Sequence, residues 1–242
     1  MPKPPIGEAP GKKAHVEAMF DEIAPRYDLL NRVLSFGTDV RWRRAAVAHL
    51  RSGLAERPRR LLDVATGTAD LALEMLRLGP DDVVGVDISE GMLSFGRDKV
   101  ARHAQGHRVR LVQGDAAALP FEDGAFDGAA VAFGVRNFED LRAGLAGIRR
   151  VLRRTAPLVV LEFSHPRAFP VKQGYEAYSR YVLPRVGRAV SGSSEAYEYL
   201  PESVAAFPDG EDFLAVMREA GFYHATARPL TFGVVTLYRA FA

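Results

Sequence analysis

The ten residues Leu61–Asp70, LLDVATGTAD, constrain this chain more than any other stretch. An apolar run (Leu61, Leu62, Val64) encloses Asp63 and breaks at Thr66-Gly67-Thr68, after which Leu71, Leu73, Met75 and Leu76 follow in a helical pattern. A buried strand, a tight turn and a helix start, in that order, form the unit at whose carboxyl edge open α/β sheets bind ligands. Val83-Val84-Gly85-Val86-Asp87 is a second short apolar strand ending in a carboxylate, an acceptor for both hydroxyls of an adenosine ribose.

Three kinds of nucleotide site open this way. A P-loop needs a Lys-Ser/Thr pair after its last glycine, and none is present. A dinucleotide fingerprint needs three glycines, the third for close helix packing; here the row is Ala65-Thr66-Gly67-Thr68-Ala69-Asp70. Asp70 is expected in the first helical turn, where bare N–H groups would otherwise hold a pyrophosphate. A carboxylate repels a diphosphate and attracts the ammonium end of S-adenosylmethionine, so the turn favours a cationic cofactor. The plainer alternative is a carboxylate that only complements the helix dipole.

With 242 residues, 48% of them hydrophobic, the chain can bury one sizeable core, and a single domain over 1–242 is expected. The lack of cysteine excludes disulfides, thiolate metal sites and cysteine nucleophiles, and fits a reducing cytoplasm. No apolar run approaches the roughly 20 residues of a membrane span, and the N-terminal MPKPPIGEAPGKK lacks the apolar centre of a signal peptide. A soluble protein is expected, resting at most on a membrane surface. The net charge of +2 is uneven: residues 1–60 carry twelve Lys and Arg against seven Asp and Glu, the remainder twenty against twenty-three. Nucleic-acid or anionic-membrane contact is one reading of this basic region; a solvated helix face is the preferred one.

Residues 1–12, with four prolines and two glycines, read as a mobile arm, and 13–58 as N-terminal helices. Val16, Met19, Phe20 and Ile23 mark one face of a short helix stopped by Pro25. A polar–aromatic stretch (Tyr27–Asn31, Leu34–Gly37) then precedes a second helix, capped by Thr38 or Asp39 and burying Ala46, Val47, Leu50 and Leu54. From Leu61 strands and helices alternate: strands at Val83–Ile88, Val109–Val112, Phe126–Phe133 and Leu158–Leu161, with Ser89 as an N-cap and helices over Leu93–Val100 and Leu141–Leu152. That pattern predicts a mostly parallel sheet with helices on both faces. A helix over Glu211–Ala220 ends at Gly221, and Phe222–Arg228 and Val234–Phe241 form a closing hairpin, so one terminal strand should be antiparallel. The 44 residues 165–208 are too long for an ordinary connection and hold five of the eight tyrosines. They are expected either to wall off a large apolar substrate or merely to pack on the sheet.

These residues resemble class I S-adenosylmethionine-dependent methyltransferases with a Rossmann-like α/β fold. More narrowly, from about Val16 onward the chain is similar to the C-methyltransferases of menaquinone and ubiquinone biosynthesis, the UbiE/MenG family. The match is carried by Tyr27-Asp-Leu-Leu-Asn31 with Ser35 and Trp42, Leu62–Asp70, Asp87-Ile-Ser89, Leu119-Pro-Phe121 and Phe133-Gly-Val-Arg-Asn137. Arg150-Val-Leu152, Leu161-Glu-Phe-Ser164 and the Tyr197–Ser203…Phe207-Pro208 run complete it. There are departures. Leu30 replaces a usual Met, Asp39 a usual His, and Ala132 a Ser that contacts cofactor in some members. Arg153-Arg154-Thr155-Ala156 replaces a Lys-Pro-Gly-Gly turn, so that loop's backbone is expected to differ.

The resemblance implies S-adenosyl-L-methionine as methyl donor, with Thr68 in the turn, Asp87 on the ribose and Asp115-Ala116 beside the adenine. With Asp63 orienting the turn, the cofactor set is Asp63, Gly67, Thr68, Asp87, Ile88, Asp115 and Ala116. The implied reaction is methylation of a prenylated quinol ring, demethylmenaquinol first and the ubiquinone-pathway benzoquinol second. A quinol becomes a carbon nucleophile on losing a hydroxyl proton, so the protein must share that proton, stabilise the phenolate and exclude water. Arg136 and Asn137, past the end of strand four, are the expected oxyanion partners; Tyr27, Asp28 and His165 are acid–base candidates, His165 beside Pro166 reading more readily as a loop histidine. No metal set is expected. The expected partners are the quinol, a membrane surface touched peripherally at its inner face, and a second copy of the chain, without nucleic acid. Competing readings are a methyltransferase of a sterol or phenolic metabolite, and a nicotinamide-binding redox or regulatory module, which Asp70 and the missing glycines disfavour.

Overall fold

In the computed structural model, which describes residues 11–182 and 195–242, seven strands form one sheet in the order β3-β2-β1-β4-β5-β7-β6. The strands are β1 (Arg60–Val64), β2 (Asp82–Asp87), β3 (Val109–Gln113), β4 (Gly128–Ala132), β5 (Pro157–Phe163), β6 (Tyr223–Leu230) and β7 (Val235–Phe241). The first five pair in parallel, with Leu62 opposite both Val84 and Ala129. β7 runs antiparallel between β5 and β6. Burial explains why the last strand lies inside the penultimate one. Val235, Leu237 and Tyr238 are buried, whereas β6 carries His224, Arg228 and Pro229 and suits an edge.

Successive residues of the parallel strands enter opposite layers of core, as period-two geometry requires. Leu62, Val84, Val131 and Val160 pack against α6 (Leu141–Val151) and the later helix Glu211–Glu219. Leu61, Val83, Ala130 and Val159 pack against Trp42, Leu50 and Met75 on the other face. β4 is built of small residues for a reason. A Cβ added at Gly128 would lie 3.3 Å from both Leu50 and Leu61, so the helix Thr38–Arg51 sits directly on it. Ser89 caps α5 (Glu90–Arg102), its Oγ accepting from Met92 N at 3.0 Å, and Gly221 follows the last helix at φ 91°.

The N-terminal part corrects four expectations. Among the described residues three α-helices precede β1: α1 (Lys12–Ile23), α2 (Tyr27–Leu34) and α3 (Thr38–Arg51). As expected, α1 stops ahead of Pro25; the proline then opens a separate 3₁₀ turn, Ala24–Arg26, where it lacks only a donor that would be unpaired anyway. α3 has Gly37 at its N-cap with no side-chain cap; the Thr38 hydroxyl donates back to Ser35 O, and Asp39 is buried against Arg43. Leu54 lies beyond the end of α3 and is only half-buried. Of the expected mobile arm, residues 1–10 lie outside the described residues, but Lys12 is buried as the first residue of α1.

The Arg153–Ala156 turn passes through the left-handed region at one residue. Thr155 holds φ 68° and its N–H donates to Ala242 O at 2.8 Å, so the chain adopts a left-handed turn without a glycine there. In the 165–208 segment α7 (Val171–Ala177) continues as a π-helical stretch to Val182, and α8 (Glu195–Ala206) precedes α9 (Glu211–Glu219).

Candidate active site

A cleft of about 700 Å³, measured out to its open mouth, lies at the carboxyl ends of the parallel strands. Its floor is Ala65 and Gly67 after β1, Asp87 and Ile88 at the end of β2, and Asp115 and Ala116 after β3. Ala132 to Gly134 and Asn137 close one side; Lys13, Val16 and Phe20 of α1, with Tyr27 of α2, form the roof. This is where a parallel sheet leaves a crevice.

The turn after β1 is tightly wound. Ala65, Gly67 and Ala69 all have positive φ (54°, 54° and 68°), and Thr66 N donates to Val86 O at 3.0 Å. Beneath it Asp63 is fully buried, accepting from the Thr66 hydroxyl at 2.6 Å while its other oxygen has no hydrogen-bond partner. Burial pushes this carboxyl up to about 7. Gly134 presses on the same turn: a Cβ there would come within 2.4 Å of the Ala65 Cβ. No side chain larger than hydrogen fits.

Asp87 closes the floor. Its Oδ2 accepts from Gly67 N at 2.7 Å and its Oδ1 from Ser89 N at 3.0 Å. A carboxylate has about four acceptor sites, so each oxygen keeps one for a ligand hydroxyl. Burial raises its pKa to about 6, against the pull of these N–H groups. Asp115 accepts from Ala117 N and pairs with Lys13 at 2.7 Å. Burial works against its charge, but Lys13 and the Ala117 N–H outweigh that and hold the carboxyl below the usual range.

Of the expected cofactor residues, Gly67, Asp87, Ile88, Asp115 and Ala116 line the cleft, and Asp63 and Thr68 do not. Asp63 lies under the turn. The Thr68 hydroxyl turns away, donating to Asp28 Oδ1 at 2.6 Å and accepting from Lys99 at 3.0 Å. Asp70 corrects the argument built on it. It is in the first turn of α4 (Asp70–Met75), but its carboxylate meets Lys99 at 2.7 Å and Arg43 at 2.9 Å, behind the turn. Charge compensation by those cations, not a ligand ammonium, keeps its pKa low despite burial.

Tyr27 and Asn137 of the expected catalytic set line the cleft; Asp28 and Arg136 do not. Asp28 is held by Lys99 at 2.5 Å as well as by Thr68. Arg136 lies behind the wall, its Nη1 donating to Glu162 Oε1 at 2.7 Å and to Phe133 O at 2.6 Å, its guanidinium over the Phe163 ring at 5.5 Å. Burial pushes the Glu162 carboxyl up, and Arg136 pulls it back. His165 is on an exposed loop with Asp209, as its sequence setting suggests.

Sequence reasoning missed several residues. Tyr199, buried in α8, donates to Asn137 Oδ1 at 3.2 Å. Lys12 donates to the carbonyls of Arg136 and Phe138, and Asp21 accepts from Ser89 Oγ and Gly91 N, fastening both ends of α1 over the cleft. Lys12, Lys13 and Asp21 carry no local signal. Glu162 did: a carboxylate inside Leu158–Phe163 stands in a strand buried on both faces and demands a partner.

The profile of the ubiE/COQ5 methyltransferase family matches residues 9–242. A demethylmenaquinone methyltransferase of Bacteroides fragilis is 46% identical over 232 residues, covering 95% of this chain and 94% of the relative. A ubiquinone/menaquinone biosynthesis C-methyltransferase UbiE of Geobacter sulfurreducens is 47% identical over 229 residues, 94% and 88% of the two chains. Among solved structures, a SAM-dependent methyltransferase of Thermotoga maritima superposes with a TM-score of 0.60 at 18% identity, covering 93% of this chain and 98% of that one. That last likeness is one of fold.

Proposed function

The chain belongs to the ubiE/COQ5 methyltransferase family, and from that premise we propose that it methylates the ring of a prenylated quinol, converting demethylmenaquinol to menaquinol with S-adenosylmethionine as donor. The cleft fits such a donor. Asp87 keeps an acceptor on each oxygen for the ribose hydroxyls, Asp115 and Ala116 flank room for the adenine, and Gly67 leaves the floor bare. Asp63 and Thr66 hold the turn to which the methionine end would bind. Bound there, the donor supplies a methyl group activated on a sulfonium.

The observation that carries the quinol reading is the position of Arg136. Burial holds three phenols around it, Tyr27, Tyr175 and Tyr199, above the ordinary tyrosine value, and its positive charge offsets part of that rise on each. A quinol phenolate in the same field gains the same offset. Arg136 Nε is buried behind the cleft wall, so Arg136 acts on a ring oxygen through its charge and not through a direct hydrogen bond. Asn137 has its oxygen engaged by Tyr199, so its amide nitrogen is the end that donates to a ring oxygen. Val16, Phe20 and Tyr27 give the cleft a largely apolar roof. With Asp28 tied to Thr68 and Lys99, Tyr27 is the expected acid–base group that faces the cleft.

Purified protein given S-adenosylmethionine and demethylmenaquinol in detergent should yield a product heavier by one methyl, fixed on the ring. The ubiquinone-pathway benzoquinol is the second substrate to assay, because a relative of comparable identity carries both pathways in its name. Failure to methylate either quinol overturns the reading.

A further inference from the structure

Lys99 stands on α5 and does not line the cleft, yet its three ammonium hydrogens meet acceptors from three other parts of the chain. Nζ lies 2.7 Å from Asp70 Oδ1 in α4 and 2.5 Å from Asp28 Oδ2 in α2, and it donates to Thr68 Oγ1 after β1 at 3.0 Å. Thr68 Oγ1 in turn donates to Asp28 Oδ1 at 2.6 Å. Lys99, Asp28 and Thr68 thus close a ring in which both oxygens of the Asp28 carboxylate are engaged. A second set of links reaches the other end of α2. Asp70 Oδ2 meets Arg43 of α3 at 2.9 Å, and Arg43 also pairs with Asp39. Asp39 Oδ1 accepts at 2.9 Å from the hydroxyl of Ser35, the residue that ends α2.

α2 depends on such links because it buries little. Among its described residues Leu30 alone is buried, while Leu29 and Val33 are exposed. Apolar packing leaves the first turn of α2 weakly fixed, so its polar partners decide where it sits. That turn begins with Tyr27, the acid–base group that faces the cleft, and Asp28 is the next residue. The Tyr27 ring covers the donor-binding turn: a Cβ at Gly67 would lie 3.9 Å from Tyr27 Cε1. Asp70 already has Arg43 as its cation, so charge balance alone does not call for a second one. What Lys99 adds is Asp28.

We propose that Lys99 is a positioning residue for the methyl transfer: it fastens the first turn of α2 to the turn that holds the donor, and so fixes the Tyr27 hydroxyl over the cleft. The proposal rests on the quinol reading, in which Tyr27 faces the ring. Lys99 touches neither donor nor quinol and acts only through Asp28. Misplacing a reacting group by about 1 Å costs on the order of 10²-fold in rate, which sets the scale of what this link controls.

The test is a kinetic cycle on the full chain with S-adenosylmethionine and demethylmenaquinol. Lys99→Met should lower kcat about ten- to a hundredfold, while the donor Kd, read by calorimetry, stays close to that of wild type. Asp28→Ala breaks the same link from the other side, leaves Lys99 paired with Asp70, and should reproduce the loss even if Lys99→Met folds poorly. In a Tyr27→Phe background Lys99→Met should cost no further rate, because the hydroxyl it positions is gone. An equal loss in both backgrounds, as a purely structural lysine would give, overturns the proposal; so does wild-type turnover in Lys99→Met. Hydrogen exchange reads the link without a quinol: amides of residues 28–34 should exchange about tenfold faster in Lys99→Met, with those of α6 unchanged. Unchanged exchange in α2 overturns the link whatever the assays show. If wild type methylates no quinol, the quinol reading fails, and exchange alone decides whether Lys99 holds α2.

Discussion

Arg136 and Glu162 form a buried ion pair, 2.7 Å from Nη1 to Oε1, with the two side chains 8% and 0% exposed. Each holds the other in place: the arginine offsets the cost of burying the carboxylate at the end of β5, and the carboxylate fixes the guanidinium behind the cleft. A second carboxylate contact, Arg136 N to Glu162 Oε2 at 3.4 Å, ties the turn after β4 to the same group.

This pair changes what an arginine deletion should look like. Arg136→Ala leaves a buried carboxylate unpaired, at a cost of about 3–5 kcal/mol, which at about 2–4 °C per kcal/mol lowers the melting temperature by roughly 6–20 °C. Adding Glu162→Gln removes the orphaned charge and should recover part of that loss. If Arg136 also stabilises the phenolate, kcat stays down by about 10²–10³ in the double variant despite the regained stability. Recovery of rate together with melting temperature would make Arg136 a structural residue.

Asp87→Ala should weaken S-adenosylmethionine binding about ten- to a hundredfold, since hydrogen bonds to a charged acceptor contribute about 1.5–3 kcal/mol. The pH dependence has a definite sign. Ribose hydroxyls donate to the ionised carboxylate, whose pKa stands at about 6, so affinity should fall as pH drops below that value. Calorimetry at pH 5 and pH 8 checks both; equal affinity at the two pH values removes Asp87 from the binding site.

Asp63 should make the unliganded protein less stable as pH rises. Its folded pKa of about 7 lies above the ordinary value of 3.8, so the folded state binds more protons between the two. The resulting stabilisation is fully present below about pH 4 and is lost as pH climbs through 7, at no more than about 1.4 kcal/mol per pH unit. Asp87 and Glu162, both raised by burial, act in the same direction. Asp63→Asn should therefore flatten the decline in melting temperature between pH 5 and pH 7; an unchanged slope would show that Asp63 does not titrate there.

Thr155→Asn should raise the melting temperature. Thr155 is β-branched at φ 68°, a conformation that costs an L-residue about 1–2 kcal/mol and that asparagine tolerates. Full relief of that cost amounts to about 2–8 °C at about 2–4 °C per kcal/mol, read by calorimetry. A lower melting temperature would mean that the threonine side chain contributes more than its backbone costs.

Much of the architecture was written locally. The strand–turn–helix at Leu61–Asp70, the carboxylate closing β2, the Ser89 cap, the Gly221 stop and the antiparallel β7 all rest on residues a few positions apart, where period-two and helical spacing and capping chemistry operate. So does the cleft floor, because strand ends and the turns after them fall together at one edge of a parallel sheet. The sequence did not determine which charges meet. Asp70 faces Lys99 and Arg43 rather than the cleft, Arg136 takes Glu162 from 26 positions away, and Lys12 of α1 caps carbonyls more than 120 positions on. α2 likewise became a helix where the residues read only as a polar–aromatic stretch. An ionic partner is chosen by proximity and burial, and in a chain with 32 Lys and Arg and 30 Asp and Glu every charge has many partners in sequence. Only the packing of helices on the sheet brings one of them within 3 Å and takes the water away.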